Sequence, residues 1–190
     1  MKVLGICGSP RSGATEYVLK EALGVLESKG VETVFFSVKG KQLGFCQHCD
    51  YCLEHKECVV KDDSVDLYGL LGEVDGVILA SPVHAGAVSG QVKTLMDRTR
   101  AWIIRDKDVF SGIPGLGIAV GGDRYGGQDL VLQQIVTFFI LNGIVPVSGG
   151  SFGSNVGVGF CSDDSVDGVK LDLDGFDSLN SCLDVFFKSL

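Results

Sequence analysis

A chain of 190 residues, 45 % hydrophobic, is long enough for one domain with a sizeable buried core. Its net charge of −8, with 16 basic residues in no long run, argues against nucleic acid or an anionic membrane surface as a partner. No apolar stretch approaches the roughly 18 residues needed to span a bilayer. Strand-like Lys2–Cys7 opens the chain without a leader-like segment, so a cytoplasmic location is the expectation. In such a reducing compartment disulfides are rare, and the cysteine density at 46–58 points to metal or catalysis before cross-links.

In chain order, Val3–Cys7 reads as a buried strand. A turn follows, then a helix over Ala14–Lys29 with Val18, Leu19, Ala22, Leu23 and Leu26 on one face and Gly30 as its stop. Val31–Val38 reads as the second strand, and after a cysteine-rich segment a capped helix starts near Ser64. Gly76–Ala80 is the third strand and Val88–Trp102 a helix with Val88, Val92, Leu95 and Met96 on one side. Leu116–Val120 is the fourth strand, Gln128–Leu141 a strongly apolar helix and Ile144–Val147 the fifth strand. Ser148–Gly168, rich in Gly, Ser and Asp, is expected to be irregular, and Phe176–Leu190 to close the chain as a helix with Phe176, Leu179, Leu183, Phe186 and Leu190 inward. Alternating β and α elements with strands apolar throughout predict an α/β fold: a single domain with a doubly wound five-stranded parallel sheet, covered on both faces. The flavodoxin-like strand order 2-1-3-4-5 suits this element order.

The first turn, Cys7–Tyr17 (CGSPRSGATEY), joins strand to helix where such folds bind anions. Ser9, Ser12 and Thr15 add hydroxyls and Arg11 a cation. GSPRSGAT matches a P-loop spacing at Gly8, Gly13 and Thr15, but Ala14 stands where the phosphate lysine is required, which argues against a nucleoside triphosphatase. The GxGxxG fingerprint is missing, and the second strand ends in SVKGK without a ribose-binding acid. A phosphomonoester cradle remains, with FMN as the usual occupant in this fold, beside the plainer reading of a turn that caps a helix. Two further loops leave the same sheet edge: Ser81–Thr99 after the third strand and Gly121–Leu130 after the fourth. Gly86, Gly121 and Gly122 allow close approach to a flat ring, the Pro82–Gly86 turn offers N–H donors, and His84 stands at the ring or on the surface.

Residues 46–58, CQHCDYCLEHKEC, carry four cysteines spaced C-x2-C-x2-C-x5-C at Cys46, Cys49, Cys52 and Cys58. Structural zinc usually draws two C-x2-C knuckles from separate loops. Three cysteines at successive x2 intervals are similar to the opening of the ferredoxin run, whose fourth cysteine serves another cluster. No second set exists here, so one [4Fe–4S] cluster is the economical reading, with zinc and unliganded redox thiols as the alternatives. His48, Tyr51 and His55 would shield the sulfurs or cover the loop. Cys7 reads as a buried hydrophobe; Cys161 and Cys182 have no partner in spacing.

With these motifs the chain resembles the flavodoxin-like NAD(P)H-dependent FMN reductase superfamily, and within it the iron–sulfur flavoproteins. The resemblance runs from Met1 to about Leu141, on GSPRSGAT, SPVHAG, DRT, GGDRYGGQ and the cysteine motif. It implies FMN phosphate against Ser9, Arg11, Ser12, Gly13, Ala14 and Thr15. It implies the isoalloxazine against Pro82, Val83, His84, Ala85 and Gly86 and against Gly121, Gly122 and Asp123. The implied activity is electron transfer between a [4Fe–4S] cluster and FMN, from a ferredoxin-like donor to a small-molecule acceptor. A homodimer or homotetramer is expected, with the cluster of one subunit beside the flavin of its neighbour. The apolar helices Val88–Ile104 and Gln128–Leu141 have more apolar surface than one sheet face needs. Two rivals stand: an NAD(P)H-dependent FMN or quinone reductase whose cysteines bind nothing, and a non-enzymatic FMN-binding redox sensor.

Overall fold

The computed structural model describes residues 1–150 and 153–190. β1 (Lys2–Cys7), β2 (Glu32–Ser37), β3 (Gly76–Pro82), β4 (Pro114–Gly121) and β5 (Val145–Pro146) form a parallel sheet in the order β2-β1-β3-β4-β5. This is the flavodoxin-like order expected from the sequence. Side chains alternate across it, so each buried strand feeds two cores. Val3, Cys7, Ile78, Ala80, Leu116 and Ile118 point to one face and meet α1 (Ala14–Ser28) and α8 (Leu173–Ser189). Leu4, Ile6, Val77 and Leu79 point to the other, toward α3 (Ser64–Leu71), α4 (Gly90–Arg98) and α6 (Gln128–Leu141). The inward stripe expected of the first helix is buried throughout.

The fifth sheet position differs from expectation. β5 pairs only with Pro114 and Gly115, and a sixth strand, β6 (Val158–Cys161), pairs in parallel with the other half of β4, Ile118–Gly121. One sheet position is thus filled by two segments. Pro146 has no N–H to continue the ladder, and the chain returns at Gly157, whose φ of 121° suits only glycine. The segment expected to be irregular therefore contains a strand and a short helix, α7 (Val166–Lys170). Ser151 and Phe152, within that expectation, lie outside the described residues.

The helix expected over Val88–Trp102 is two helices. Ser89 caps α4, accepting from Val92 N at 3.2 Å. α4 ends at Thr99, whose hydroxyl donates to Met96 O (2.7 Å), and α5 (Arg100–Arg105) continues beyond it. The last helix starts earlier than expected because Asp172 caps it, accepting from Gly175 N at 3.4 Å. Between β2 and α3 the cysteine segment has one helical stretch, α2 (Tyr51–His55). No helix among the described residues is long and apolar enough to cross a membrane.

Candidate functional site

Strands of a doubly wound sheet end together at one edge, and their loops build the site there. A cavity of about 200 Å³ opens at this edge. It is lined by Ser9, Pro10, Arg11, Gly13, Ala14 and Thr15 from the β1–α1 turn, by Pro82, Val83 and His84 after β3, and by Val120, Gly122, Ser162 and Asp164. Nine of the expected cofactor residues thus meet around one space. The Ser9 hydroxyl donates to Arg11 O (2.7 Å) and accepts from Arg11 N (3.3 Å), fastening the turn. Gly13, the residue before α1, supplies no side-chain cap. The first N–H groups of α1 have no side-chain acceptor, and Arg11 brings a full positive charge to the same cavity. The chemistry of this cradle fits a phosphate group.

Five expected residues lie outside that cavity. Ser12 is exposed, and its hydroxyl accepts from Lys39 Nζ at 2.7 Å. It also supports Glu16, whose carboxyl is held below the usual range by bonds from Lys20 and Ser12. Ala85 and Gly86 form the tip of a tight turn after β3. His84 and Ala87 exchange both backbone hydrogen bonds (2.9 and 3.0 Å) around them. Both tip residues have positive φ, 51° and 75°, as a type I′ turn requires. Gly121 is buried at the end of β4, and Asp123 is exposed with its carbonyl accepting from Gln128 Nε2 at 2.6 Å.

Pro10, Val120, Ser162 and Asp164 line the cavity without having been expected to, and the last two come from a segment given no role in the site. Ser162 follows β6 and is tied to Gly121 O by its N–H and its hydroxyl, both at 2.9 Å. Asp163 and Asp164 both have positive φ, 45° and 52°, a strained pair that places a carboxylate against Gly122. The run CSDDS, a polar turn directly after a short apolar stretch, was the available signal.

The four cysteines of the 46–58 segment are unpaired: Cys46 and Cys49 exposed, Cys52 and Cys58 half-buried. His48, Asp50 and Lys56 adopt left-handed conformations, curving the loop between them. Tyr51 stacks on His55, with ring centroids 3.7 Å apart, and covers α2. Arg100 pairs with Asp50 at 2.7 Å, and Lys56 Nζ donates to Ile104 O at 3.3 Å, fixing the loop to α5. At its neck Arg98 bonds Asp62. The donor set, four free thiols on one curved loop flanked by Arg98 and Arg100, fits an iron–sulfur group. Among the described residues no three His, Cys, Asp or Glu side chains are gathered round a common point. Two other thiols are shut away: burial pushes Cys7 up and Cys182 up to about 11. Cys161 stands next to the cavity, its thiol donating to Gly122 O at 3.2 Å.

The sheet order and the anion cradle at the carboxyl ends of its strands define a flavodoxin-like mononucleotide-binding protein. Residues 1–157 match the family described as NADPH-dependent FMN reductase. An Archaeoglobus fulgidus protein named iron–sulfur flavoprotein is 55 % identical over 188 residues, covering 99 % of this chain and 96 % of that one. A Methanocaldococcus jannaschii protein, also named iron–sulfur flavoprotein, is 48 % identical over 192 residues, covering 100 % and 97 %. The chain therefore belongs to the iron–sulfur flavoproteins of the NADPH-dependent FMN reductase family, and it is an FMN-dependent oxidoreductase. The fold is shared with an apo NADH:FMN oxidoreductase structure, at a TM-score of 0.71 and 19 % identity, covering 100 % of this chain and 89 % of that one.

Proposed function

We propose that the protein transfers electrons between a [4Fe–4S] cluster held by Cys46, Cys49, Cys52 and Cys58 and an FMN held in the cavity at the sheet edge. A ferredoxin-like protein is the donor and a small molecule the acceptor. When bound, a cluster exchanges electrons singly and a flavin one or two at a time. The chain's residues supply the binding. Arg11 and the uncapped start of α1 neutralise the phosphate, and Ser9 fixes the turn that presents them. The I′ turn His84–Ala87 and the end of β4 offer backbone at the ring end of the cavity. Cys161 and Asp164 border that region.

One observation carries this reading: two separate sites, a phosphate cradle and a loop of four free thiols, stand on one sheet, in a chain 55 % identical to a named iron–sulfur flavoprotein. Stopped-flow mixing with chemically reduced ferredoxin tests it. Rapid reduction of bound FMN is expected, and it is lost when Cys52 is replaced by Ser.

The thiols' exposure and the family's name favour one rival, an NAD(P)H-dependent FMN or quinone reductase with an empty loop. Fast flavin reduction by NADPH in protein that lacks iron after anaerobic preparation would establish it.

A homodimer or homotetramer belongs to the same proposal. A groove of about 1050 Å³ between α4–α5 and α6 is lined by Leu53 of the cysteine loop, Gly86 of the flavin-side turn, Met96, Ile103, Phe138 and Leu141. A second copy seated there would cover elements of both sites. Sedimentation at micromolar concentration is expected to give a dimer or larger; an active monomer contradicts it.

A further inference from the structure

Arg98 is a charged side chain in a core position. The residue is 2 % exposed, and a guanidinium does not give up its proton. Its partners come from both ends of the cysteine loop. Nη1 donates to Gly44 O (3.3 Å) and to the Asp62 carboxylate, and Nη2 donates to Val60 O (2.8 Å). Gly44 precedes Cys46 by two positions, and Val60 follows Cys58 by two. Asp62 also accepts from Gly44 N (2.7 Å), Ser64 N (3.0 Å) and Ser64 Oγ (2.6 Å). Arg98 and Asp62 are therefore a clasp across the neck of the loop.

The clasp leaves a donor over. Arg98 Nε is buried and makes no hydrogen bond, and the guanidinium lies 5.7 Å from the Tyr68 ring centroid. The Ser64 hydroxyl near Tyr68 donates to Asp62, and its lone pairs remain open to the Tyr68 hydroxyl. Val60, whose carbonyl Nη2 holds, lies two positions after Cys58. If closing the neck were the whole task, an apolar pair of similar volume would do it as well or better, because a buried ion pair must offset its own desolvation. A buried cation with an idle N–H at the neck of a loop of thiols has a use that stability alone does not require.

We propose that Arg98 is the positioning residue of the cysteine site: it ties Gly44, Val60 and Asp62 together so that Cys46 and Cys58 face one space, and its Nε–H donates to the Cys58 sulfur when the loop holds its cluster. This rests on the cluster reading above. Donors and positive charge at a ligating sulfur favour the more negative, reduced state and raise the reduction potential.

Anaerobically prepared Arg98→Lys and Asp62→Asn proteins, compared with the parent, test the proposal. The readouts are FMN and iron per chain, iron release to a chelator, and the cluster potential from an EPR-monitored titration. Both variants are expected to keep FMN. Arg98→Lys retains the charge but loses the fork and the Nε donor, so iron release accelerates about 10-fold or more and the potential falls. Asp62→Asn removes a negative charge and opens one arm of the clasp, so release accelerates and the potential rises. Parental release and potential in both variants would overturn the proposal. If Arg98→Lys does not keep its fold, judged by FMN content and circular dichroism, Asp62→Asn decides by the same two readouts. A parent protein without iron overturns the cluster reading itself, which separates that failure from this one.

Discussion

The Ser89 hydroxyl donates to the Gly8 carbonyl at 2.7 Å, joining residues 81 positions apart in the chain. Ser89 also caps α4, and its N–H donates to Ser81 Oγ at 3.1 Å. One buried side chain thus locks the β1–α1 turn to the β3–α4 loop, the two loops that form most of the cavity. The approach is close: a Cβ on Gly8 would lie 2.1 Å from Val92 Cγ2. Ser89→Ala removes a cap and a buried hydrogen bond, so a loss of about 1–3 kcal/mol is expected. Urea denaturation of the apoprotein checks this, with an unchanged m-value showing that the effect lies in stability. FMN affinity falls with it, because the two loops are no longer held in register.

Arg11 and Ser12 should part company when each is changed. Arg11 lines the cavity, whereas Ser12 is turned outward to Lys39. Arg11→Gln is expected to weaken FMN binding about 10-fold or more, the value of a charge-assisted bond to phosphate. Ser12→Ala is expected to change it by less than about 3-fold, since the hydroxyl's partner is Lys39. Quenching of FMN fluorescence on titration with apoprotein measures both. Equal losses would place Ser12 in the cradle after all.

Asp164 presents a carboxylate at the cavity that holds Arg11, and its backbone is strained to do so. A negative charge there opposes both the phosphate and a reduced, anionic flavin. Asp164→Asn is therefore expected to tighten FMN binding and to raise the flavin potential, as read by fluorescence titration and by a spectroelectrochemical titration. Asp164→Gly, which also relieves the left-handed backbone, is expected to stabilise the apoprotein as well.

The Asp62 carboxyl gives the neck of the cysteine loop a pH dependence. Burial alone would raise it, but bonds from Ser64, Gly44 N–H and Arg98 outweigh burial and bring it from 3.8 down to about 2. A carboxyl depressed on folding contributes stability that is complete above its unfolded pKa and disappears as pH falls through the folded one. The contribution is thus whole above about pH 4 and gone near pH 2. Apoprotein stability in urea, compared between parent and Asp62→Asn, should differ most above that window and converge within it.

Much of this was legible in the sequence because the relevant signals are local. The stripe Val18, Leu19, Ala22, Leu23 and Leu26 repeats at helical spacing, and all five are buried. GSPRSGAT sits between a strand and a helix, so its place at a cavity on the sheet edge followed from neighbours in the chain. What escaped depends on distant partners. β6 has only four residues in a glycine-rich stretch and exists because β4 offers Ile118–Gly121 as a template. Ser12 was expected with its neighbours of the first turn, but it does not line the cavity, and its hydroxyl accepts from Lys39, 27 residues away. Nothing near Arg98 in the sequence marks it as buried, since Asp62 stands 36 positions earlier. The division of one helix into α4 and α5 falls at Thr99, between residues that continue one apolar pattern.

The central claim is that the loop of Cys46, Cys49, Cys52 and Cys58 and the cradle at Arg11 are loaded together. Iron, acid-labile sulfide and FMN, assayed per chain on protein prepared without oxygen, measure this directly. The expected result is about one FMN with roughly four irons and four sulfides, falling to FMN alone when Cys52 is replaced by Ser. FMN without iron or sulfide in the parent protein would contradict it.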